Sequence, residues 1–294
     1  MYKWRGDTWQ DGSALHYALN LDLYGRAFAG WLLQLPWLLT WLTHAVLWFE
    51  TLCPLLLFCP VWIGPIRTVV SLCVMLMHLA FSSLWYLELF PAVSAVAMTL
   101  FLPSWCCDRF TAARPSARAE ARRGERAWWA EATAAALLFL VCLWVVAQWI
   151  PSRLKLPRAL RNLGTLLYLD QTWTMFAPNP AKVSGWVVVP GVLHDGTRVD
   201  VSRDGAPVGW EKPPQRSLFK NERWRKYLIH VILRRDQRVE RGYATYLCRA
   251  WNSRHAGDQR LDSLEITLMT RRTPPVGEPE PYRPQVLLRY ACQP

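Results

Sequence analysis

Apolar and polar positions divide the chain into two unlike halves. From residue 27 to residue 104 the sequence is almost continuously apolar, with Glu50, Arg67 and Glu88 its three charged side chains. A soluble domain of that length carries about a quarter charged residues, so this block is of the kind that a bilayer solvates. At about 20 residues per crossing it holds three spans, or four if the last is short. Pro36, Pro54, Pro60, Pro65, Pro91 and Pro103 interrupt it without polar loops beside them, which membrane helices tolerate when neighbours satisfy the freed backbone groups. The pattern predicts an interfacial or broken helix over 26–36, spans over 37–63 and 68–89, and a short re-entrant or half-span over 91–104. A further apolar run predicts a span over 127–150. Trp31, Trp37, Trp41, Trp62, Trp105, Trp128, Trp129 and Trp149 fall near the ends of these segments, where indole rings favour the headgroup level.

Beyond residue 150 the pattern changes to that of a water-soluble fold. Gly185–Leu193 and Thr197–Val201 are rich in β-branched residues and flank His194-Asp195-Gly196, a hairpin signal. Asn221 precedes a helical pattern over 222–235, with Trp224, Leu228, Val231 and Ile232 on one face, and 239–251 reads as a second helix. Leu261–Thr270 and Gln285–Tyr290 read as strands, joined by the Pro-rich stretch 273–284. The predicted architecture is an α-helical polytopic membrane bundle followed by a small α+β extramembrane domain. Its parts are a polar N-terminal segment 1–26, a transmembrane block 27–104, a basic loop 105–126, a transmembrane helix 127–150 and a basic α+β domain 151–294.

Charge refines this picture. The net charge of +12 over 294 residues is concentrated, with +11 in 151–294 and −1 in 1–104, and 52% hydrophobic content excludes intrinsic disorder. The basic residues of the C-terminal half are scattered, and no helix-turn-helix, zinc-finger or RNA-binding motif accompanies them, so nucleic acid is not the expected partner. A basic surface facing anionic headgroups fits better, each Lys or Arg contributing about 1 kcal/mol there. Residues 108–126 hold six Arg against Asp108, Glu120 and Glu125, and the positive-inside rule assigns that loop to the cytoplasm. The localisation that follows is a multi-pass protein of the cell (inner) membrane, its C-terminal domain extracytoplasmic. No cleavable signal peptide is visible in the polar first 26 residues.

The eight cysteines form no zinc spacing, so no metal is expected, and Cys53, Cys59, Cys73 and Cys142 read as small apolar packers. Cys248 and Cys292 could pair if their domain is extracytoplasmic. Three ionisable residues within the apolar block are candidates for function, because burying them in hydrocarbon is costly. Glu50 precedes Pro54, which frees the carbonyl of residue 50 from helical bonding and makes it a candidate polar-cavity residue. His78 lies mid-span, and its neutral imidazole could be a base, a ligand or an interhelical donor. Glu88, three residues before Pro91, reads as interfacial.

His78-Leu79-Ala80-Phe81-Ser82-Ser83, then Leu89-Phe90-Pro91 and Phe101-Leu102-Pro103-Ser104-Trp105, resemble the horizontally transferred transmembrane (HTTM) family, which includes the vitamin K-dependent γ-glutamyl carboxylases. Lys3-Trp4-Arg5-Gly6-Asp7-Thr8-Trp9-Gln10-Asp11-Gly12 is similar to that family's lysine followed by Trp-x-acidic-Gly. Further matches run through Trp173-Thr174-Met175, Asp195-Gly196-Thr197-Arg198, Arg223-Trp224-Arg225-Lys226, Tyr243-Ala244-Thr245 and Leu247-Cys248-Arg249. Phe176-Ala177-Pro178-Asn179-Pro180 looks like the bacterial branch. The family's front helices, which precede the lysine motif, are missing ahead of Lys3.

The resemblance implies a carboxylase-like enzyme using reduced vitamin K or menaquinol with O2 and CO2, acting on glutamate in a protein substrate. Lys3 would be the base that deprotonates the quinol, with His78 a second catalytic candidate. A lysine taken out of water gives up its proton more readily. Other readings stay open: Lys3 as a surface cation near the headgroups, Asp11 as the cap of a helix beginning near Ser13, and Trp173, Phe176 and Pro178 as an aromatic-proline cluster docking the soluble domain. The alternative for the whole chain is a non-enzymatic membrane scaffold that binds a protein partner or anionic lipid through its basic domain.

Overall fold

The structure, a computed structural model, describes residues 2–103, 106, 128–149, 156–169, 175–214, 219–234, 236–275, 277 and 279–292. Most of the basic loop 105–126, with Trp105, and the Trp173-Thr174 pair lie outside the described residues. Two compact units emerge, one formed by 1–101 with 176–294 and the other by 102–175.

In the first unit a single 3-10 turn, Tyr2–Arg5, leads into three short helices, α1 (Asp7–Gln10), α2 (Ala14–Leu19) and α3 (Ala27–Leu32). Asp11 accepts from both the N–H and the hydroxyl of Ser13, 2.8 and 2.6 Å away, an Asx turn that sets the entry to α2. Two long apolar helices follow, α4 (Pro36–Leu57) and α5 (Ile63–Leu84), and then a short one, α6 (Phe90–Met98). Pro36 opens α4 in its first turn, where its missing N–H costs nothing, while Pro54 sits inside the helix. The α4 helix ends six residues before the expected boundary, and α5 starts five residues earlier than predicted, after Trp62 in a left-handed conformation with φ of 49°. Pro65 therefore falls in the first turn of α5. Arg67 lies one turn inside that helix, where its Nε donates to the Leu57 carbonyl at the end of α4. Arg67, which falls between the two expected spans, is thus the clasp of the α4–α5 hairpin.

At the other end of α5 the chain leaves the helix at Trp85, which bridges to Gly25, while Arg26 N–H donates to the Leu84 carbonyl. The start of α3 and the end of α5 consequently meet. Cys53, Leu57 and Val70 pack in the α4–α5 seam with Phe49, Ile66 and Val74, whereas Cys73 faces outward. Large apolar side chains remain exposed along the outer faces, among them Trp37 at 71% and Leu55 at 68%. In the second unit, α7 (Trp128–Trp149) is apolar on all sides and α8 (Arg158–Leu166) packs Gly164 against the Trp144 ring. Helices α4, α5 and α7 are each long and apolar enough to cross a membrane; 22 residues span about 33 Å.

The remainder of the first unit is an α+β domain. Its antiparallel sheet contains β1 (Val183–Val188), β2 (Pro190–Leu193), β3 (Arg198–Asp200), β4 (Leu261–Arg272) and β5 (Arg283–Ala291). The long β4 carries β5 on one edge and both β1 and β2 on the other, and β3 pairs β2. The single strand expected over 185–193 is divided at Val189–Pro190, because proline has no N–H for the ladder. Its register against β4 is unchanged across the break, from Val188↔Thr267 to Gly191↔Leu264. Helices α9 (Glu222–Arg234) and α10 (Gln237–Asn252) cover one face, burying Val231, Ala244, Leu247 and Trp251 against Val189, Leu264 and Ile266.

A disulfide joins Cys248 on α10 to Cys292 beyond β5, with Cα atoms 5.5 Å apart. It closes a loop of 44 residues, for which loop entropy gives about 4 kcal/mol of stabilisation. Replacing both cysteines with serine is therefore expected to lower stability by about 2–4 kcal/mol, read from denaturant unfolding of the serine variant against the oxidised parent. An unchanged midpoint would show that the bond is not formed.

Candidate functional site

The N-terminal segment is held along its length. Trp4 Nε1 donates to Thr51 Oγ1 on α4 at 2.8 Å, and Gln10 Nε2 donates to the Trp4 carbonyl. Trp9 Nε1 donates to the Phe176 carbonyl, and Thr8 donates through both its N–H and its hydroxyl to Asn179 Oδ1. A Cβ at Gly6 would fall on the Pro178 carbonyl, so glycine is required at this contact. Phe176 also packs on Trp85 and Tyr24, at centroid distances of 5.4 and 5.9 Å. The Phe176–Pro180 run thus joins the N-terminal segment and Trp85 at the end of α5 to the chain that enters the α+β domain; Trp173 of the expected aromatic-proline cluster lies outside the described residues.

This anchoring brings Lys3 to Glu50. Its Nζ stands 2.7 Å from both carboxylate oxygens, with the Lys3 side chain 17% exposed and Glu50 35%. The ammonium also lies over the Trp9 ring, 4.2 Å from its centroid, and Trp48 meets Trp4 edge-on at 5.0 Å. A half-buried bidentate pair with an aromatic roof is held more firmly than a surface pair, since the cation–π contact adds about 0.5–2 kcal/mol. Lys3 is therefore neither a free terminus nor an open surface cation. Glu50 lies four residues before Pro54, which has no N–H to offer its backbone carbonyl, so the polar break in α4 sits beside the ion pair.

His78 is 9% exposed on α5, with the rings of Phe81 and Phe90 edge-on to its imidazole at 5.8 and 5.3 Å. Its Nδ1 is buried without a hydrogen-bond partner, a state that costs about 1–3 kcal/mol unless something fills it. Two of the candidates, Lys3 and Glu50, are in direct contact, and the third, His78, lies on α5, which packs against α4. Glu88 is exposed beyond the end of α5. Among the described residues no group of three or more His, Cys, Asp or Glu could hold a metal ion.

A second polar centre was not singled out in the sequence. Asp22 is almost wholly buried, and its Oδ1 accepts from Lys212 Nζ at 2.7 Å, Tyr282 Oη at 2.8 Å and Arg271 Nη2 at 3.1 Å. Its own N–H donates to Ser184 Oγ at the start of the sheet, and Leu23 beside it packs on Leu268. One carboxylate thus fastens the N-terminal segment to three parts of the α+β domain. Burial first, and then the Asp22 charge, push the Tyr282 phenol well above its ordinary range, with Arg271 opposing. The folded chain binds that proton more tightly than the unfolded chain. Its contribution to stability is whole below the usual tyrosine value of about 10 and is lost as pH rises through the folded value. In an absorbance titration at alkaline pH, Tyr282 is expected to ionise only with unfolding. Tyr282→Phe should remove one equivalent from that late step, and an unchanged late step would contradict the placement.

No family model, curated protein or solved structure matches the chain.

Proposed function

We propose that this protein is a multi-pass membrane protein of the HTTM type, related to the vitamin K-dependent γ-glutamyl carboxylases, and that it carries out quinol-dependent carboxylation of glutamate side chains. The observation that carries the reading is the Lys3–Glu50 pair. The lysine that the resemblance marks as the base is drawn into contact with the carboxylate at the polar break of an apolar helix. A base must sit within about 2.6–3.2 Å of the proton it takes; the Glu50 contact fixes Lys3 Nζ in place, and the amine becomes a base once its own proton has passed to Glu50. His78 offers a buried ring nitrogen without a hydrogen-bond partner beside Phe81 and Phe90, the polar atom that the reading assigns to the quinol hydroxyl.

Lys3 and His78 would hold and deprotonate the quinol hydroxyl, Glu50 would fix the amine and take up its proton, and Trp4 and Trp9 would keep water from the pair. Reduced vitamin K or menaquinol, when bound, would supply the electrons that O2 takes up, an oxygenation that yields a base strong enough to remove a glutamate γ-proton before CO2 adds. The reading puts the protein in the cell (inner) membrane, with 105–126 cytoplasmic and the α+β domain outside. The Cys248–Cys292 bond supports that side, because disulfides persist in oxidising compartments. The N-terminal segment, fastened to that domain through Asp22, shares that side, and the reading therefore requires the short apolar stretch Phe90–Phe101 to cross as a fourth span beside α4, α5 and α7.

A second reading, a non-enzymatic scaffold, draws on the same pair, since an ion pair can simply staple a segment to a helix. The two are separated by labelled CO2 incorporation into a glutamate peptide by the purified protein in bilayers containing reduced or oxidised quinone. Incorporation confined to the reduced quinone supports the enzyme. None in either condition supports the scaffold.

A further inference from the structure

The face of the sheet turned away from α9 and α10 carries a cleft of about 470 Å³, a size typical of small-ligand sites. Strand register builds its floor. On β4, Leu264 and Ile266 point into the core beneath the helices, so by the alternation of strand side chains Ser263 and Glu265 face the other way. Register then sets Arg198 of β3 beside Val192 of β2, Val192 beside Ser263, and Ser263 beside Ala291 of β5. One step along, Glu265 stands opposite Arg289, and its carboxylate accepts from Arg289 Nε at 2.8 Å. The small side chains of Ser263 and Ala291 thus leave a hollow among longer charged ones. Trp210 forms a wall. Val208, two residues before it, packs on Trp186 and Met269 of the same face, which fixes the segment, while the indole stays 45% exposed.

The chemistry of this surface is mixed. Among the described residues the charged side chains of the lining are Arg198, Glu265 and Arg289. The hydrogen bond from Arg289 holds the Glu265 carboxyl below its ordinary range, so an ionised acceptor on β4 lies between guanidinium donors on β3 and β5. Among the described residues no hydrogen bond within the protein engages the Ser263 hydroxyl or the Trp210 indole N–H. A carboxylate or phosphate placed here meets Glu265, and an ammonium meets the two arginines. A hydroxyl, which both donates and accepts without charge, meets neither penalty. The electron-rich face of Trp210 attracts electropositive C–H bonds. A pyranose ring combines the two, with hydroxyls around its rim and C–H bonds on its faces.

We propose that this cleft binds a neutral sugar ring of an oligosaccharide, stacked on Trp210, with its hydroxyls held by Ser263, Glu265 and Arg198. The assignment is independent of the carboxylation reading.

The test is a saturation-transfer NMR titration of the full-length protein in phosphatidylcholine nanodiscs, which carry no sugar headgroup. The probes are cellotetraose, chitotetraose, the open-chain hexitol sorbitol, and adenosine. In the two tetrasaccharides the ring substituents are equatorial, so each ring offers flat C–H faces. Saturable binding of one or both is expected, with the strongest transfer to ring C–H protons. Sorbitol, which has the hydroxyls without the ring, should not bind, and adenosine, whose base is flat but lacks the rim of hydroxyls, should bind more weakly than the sugar. Trp210→Ala should weaken sugar binding about tenfold. Ser263→Leu, which fills the floor of the cleft, should abolish it. Both positions lie on the open face of the sheet, and both variants should unfold at the parent's midpoint. The proposal is overturned if neither tetrasaccharide binds, if sorbitol or adenosine binds as tightly, or if affinity survives either substitution.

Discussion

In Lys3→Ala, quinol-dependent carboxylation is expected to fall by about 10²–10⁴-fold, the contribution of a positioned general base, and Lys3→Arg is expected not to restore it. The two substitutions separate the chemistry from the contact. Arginine can keep the ion pair with Glu50 and the stacking over Trp9, but a guanidinium does not release its proton in a protein. Lys3→Arg should therefore unfold like the parent while remaining inactive. Glu50→Gln should reduce the rate as well, because the amide holds Nζ less firmly and takes up no proton. His78→Ala should lower activity through the loss of the unfilled ring nitrogen. Full activity in both Lys3→Ala and His78→Ala would remove the site assignment, and activity in Lys3→Arg alone would leave the pair a purely structural staple.

The largest effect on stability is expected at Asp22. Asp22→Ala should cost about 3–5 kcal/mol, the range for removing one partner of a buried ion pair, because it strands Arg271, whose side chain is 22% exposed, and leaves the Tyr282 hydroxyl without its acceptor. Lys212, more exposed at 38%, can turn to solvent and should contribute little of that cost. Asp22→Asn retains an oxygen acceptor for Tyr282 and should be less damaging. Denaturant unfolding in detergent measures the loss. A double-mutant cycle with Arg271→Ala should show strong coupling, and simple additivity would mean that the two groups do not interact.

The long apolar helices were legible because charge is so sparse over 27–104, but their number was not: length alone allowed three or four spans there, and two helices, α4 and α5, are long enough to cross. Their ends were not legible either, since each is set by a partner distant in sequence. The α5 helix stops at Leu84 rather than Leu89 because Trp85 turns into an extended bridge with Gly25. It begins at Ile63 because Pro65 is harmless in a first turn and Arg67 can close on the Leu57 carbonyl. The α+β elements followed from period and turn chemistry, with Pro190 marking the one break in the strand against β4. In the site, His78 and Glu50 stood out as polar residues in an apolar run, and Lys3 through the resemblance. Nothing local showed that Lys3 and Glu50 would meet, because the docking depends on Phe176 and Asn179, more than 160 residues away. Asp22 was illegible for the same reason. It is one acid among several in a polar segment, and its burial is created by Lys212 and Arg271, 190 and 249 residues further on.

The contact between Lys3 and Glu50 is the centre of the account, and a hydrophobic carbodiimide tests it without altering a residue. The reagent activates a carboxylate within an apolar phase, and an amine already touching it closes a zero-length amide. Membranes containing the protein, treated and then digested, should yield by mass spectrometry a peptide pair joined between Lys3 Nζ and the Glu50 side chain, and Lys3→Arg should abolish it. Absence of that cross-link, with Lys3 instead modified by a water-soluble amine reagent as fast as an exposed lysine, would contradict the docking of the N-terminal segment and the site built on it.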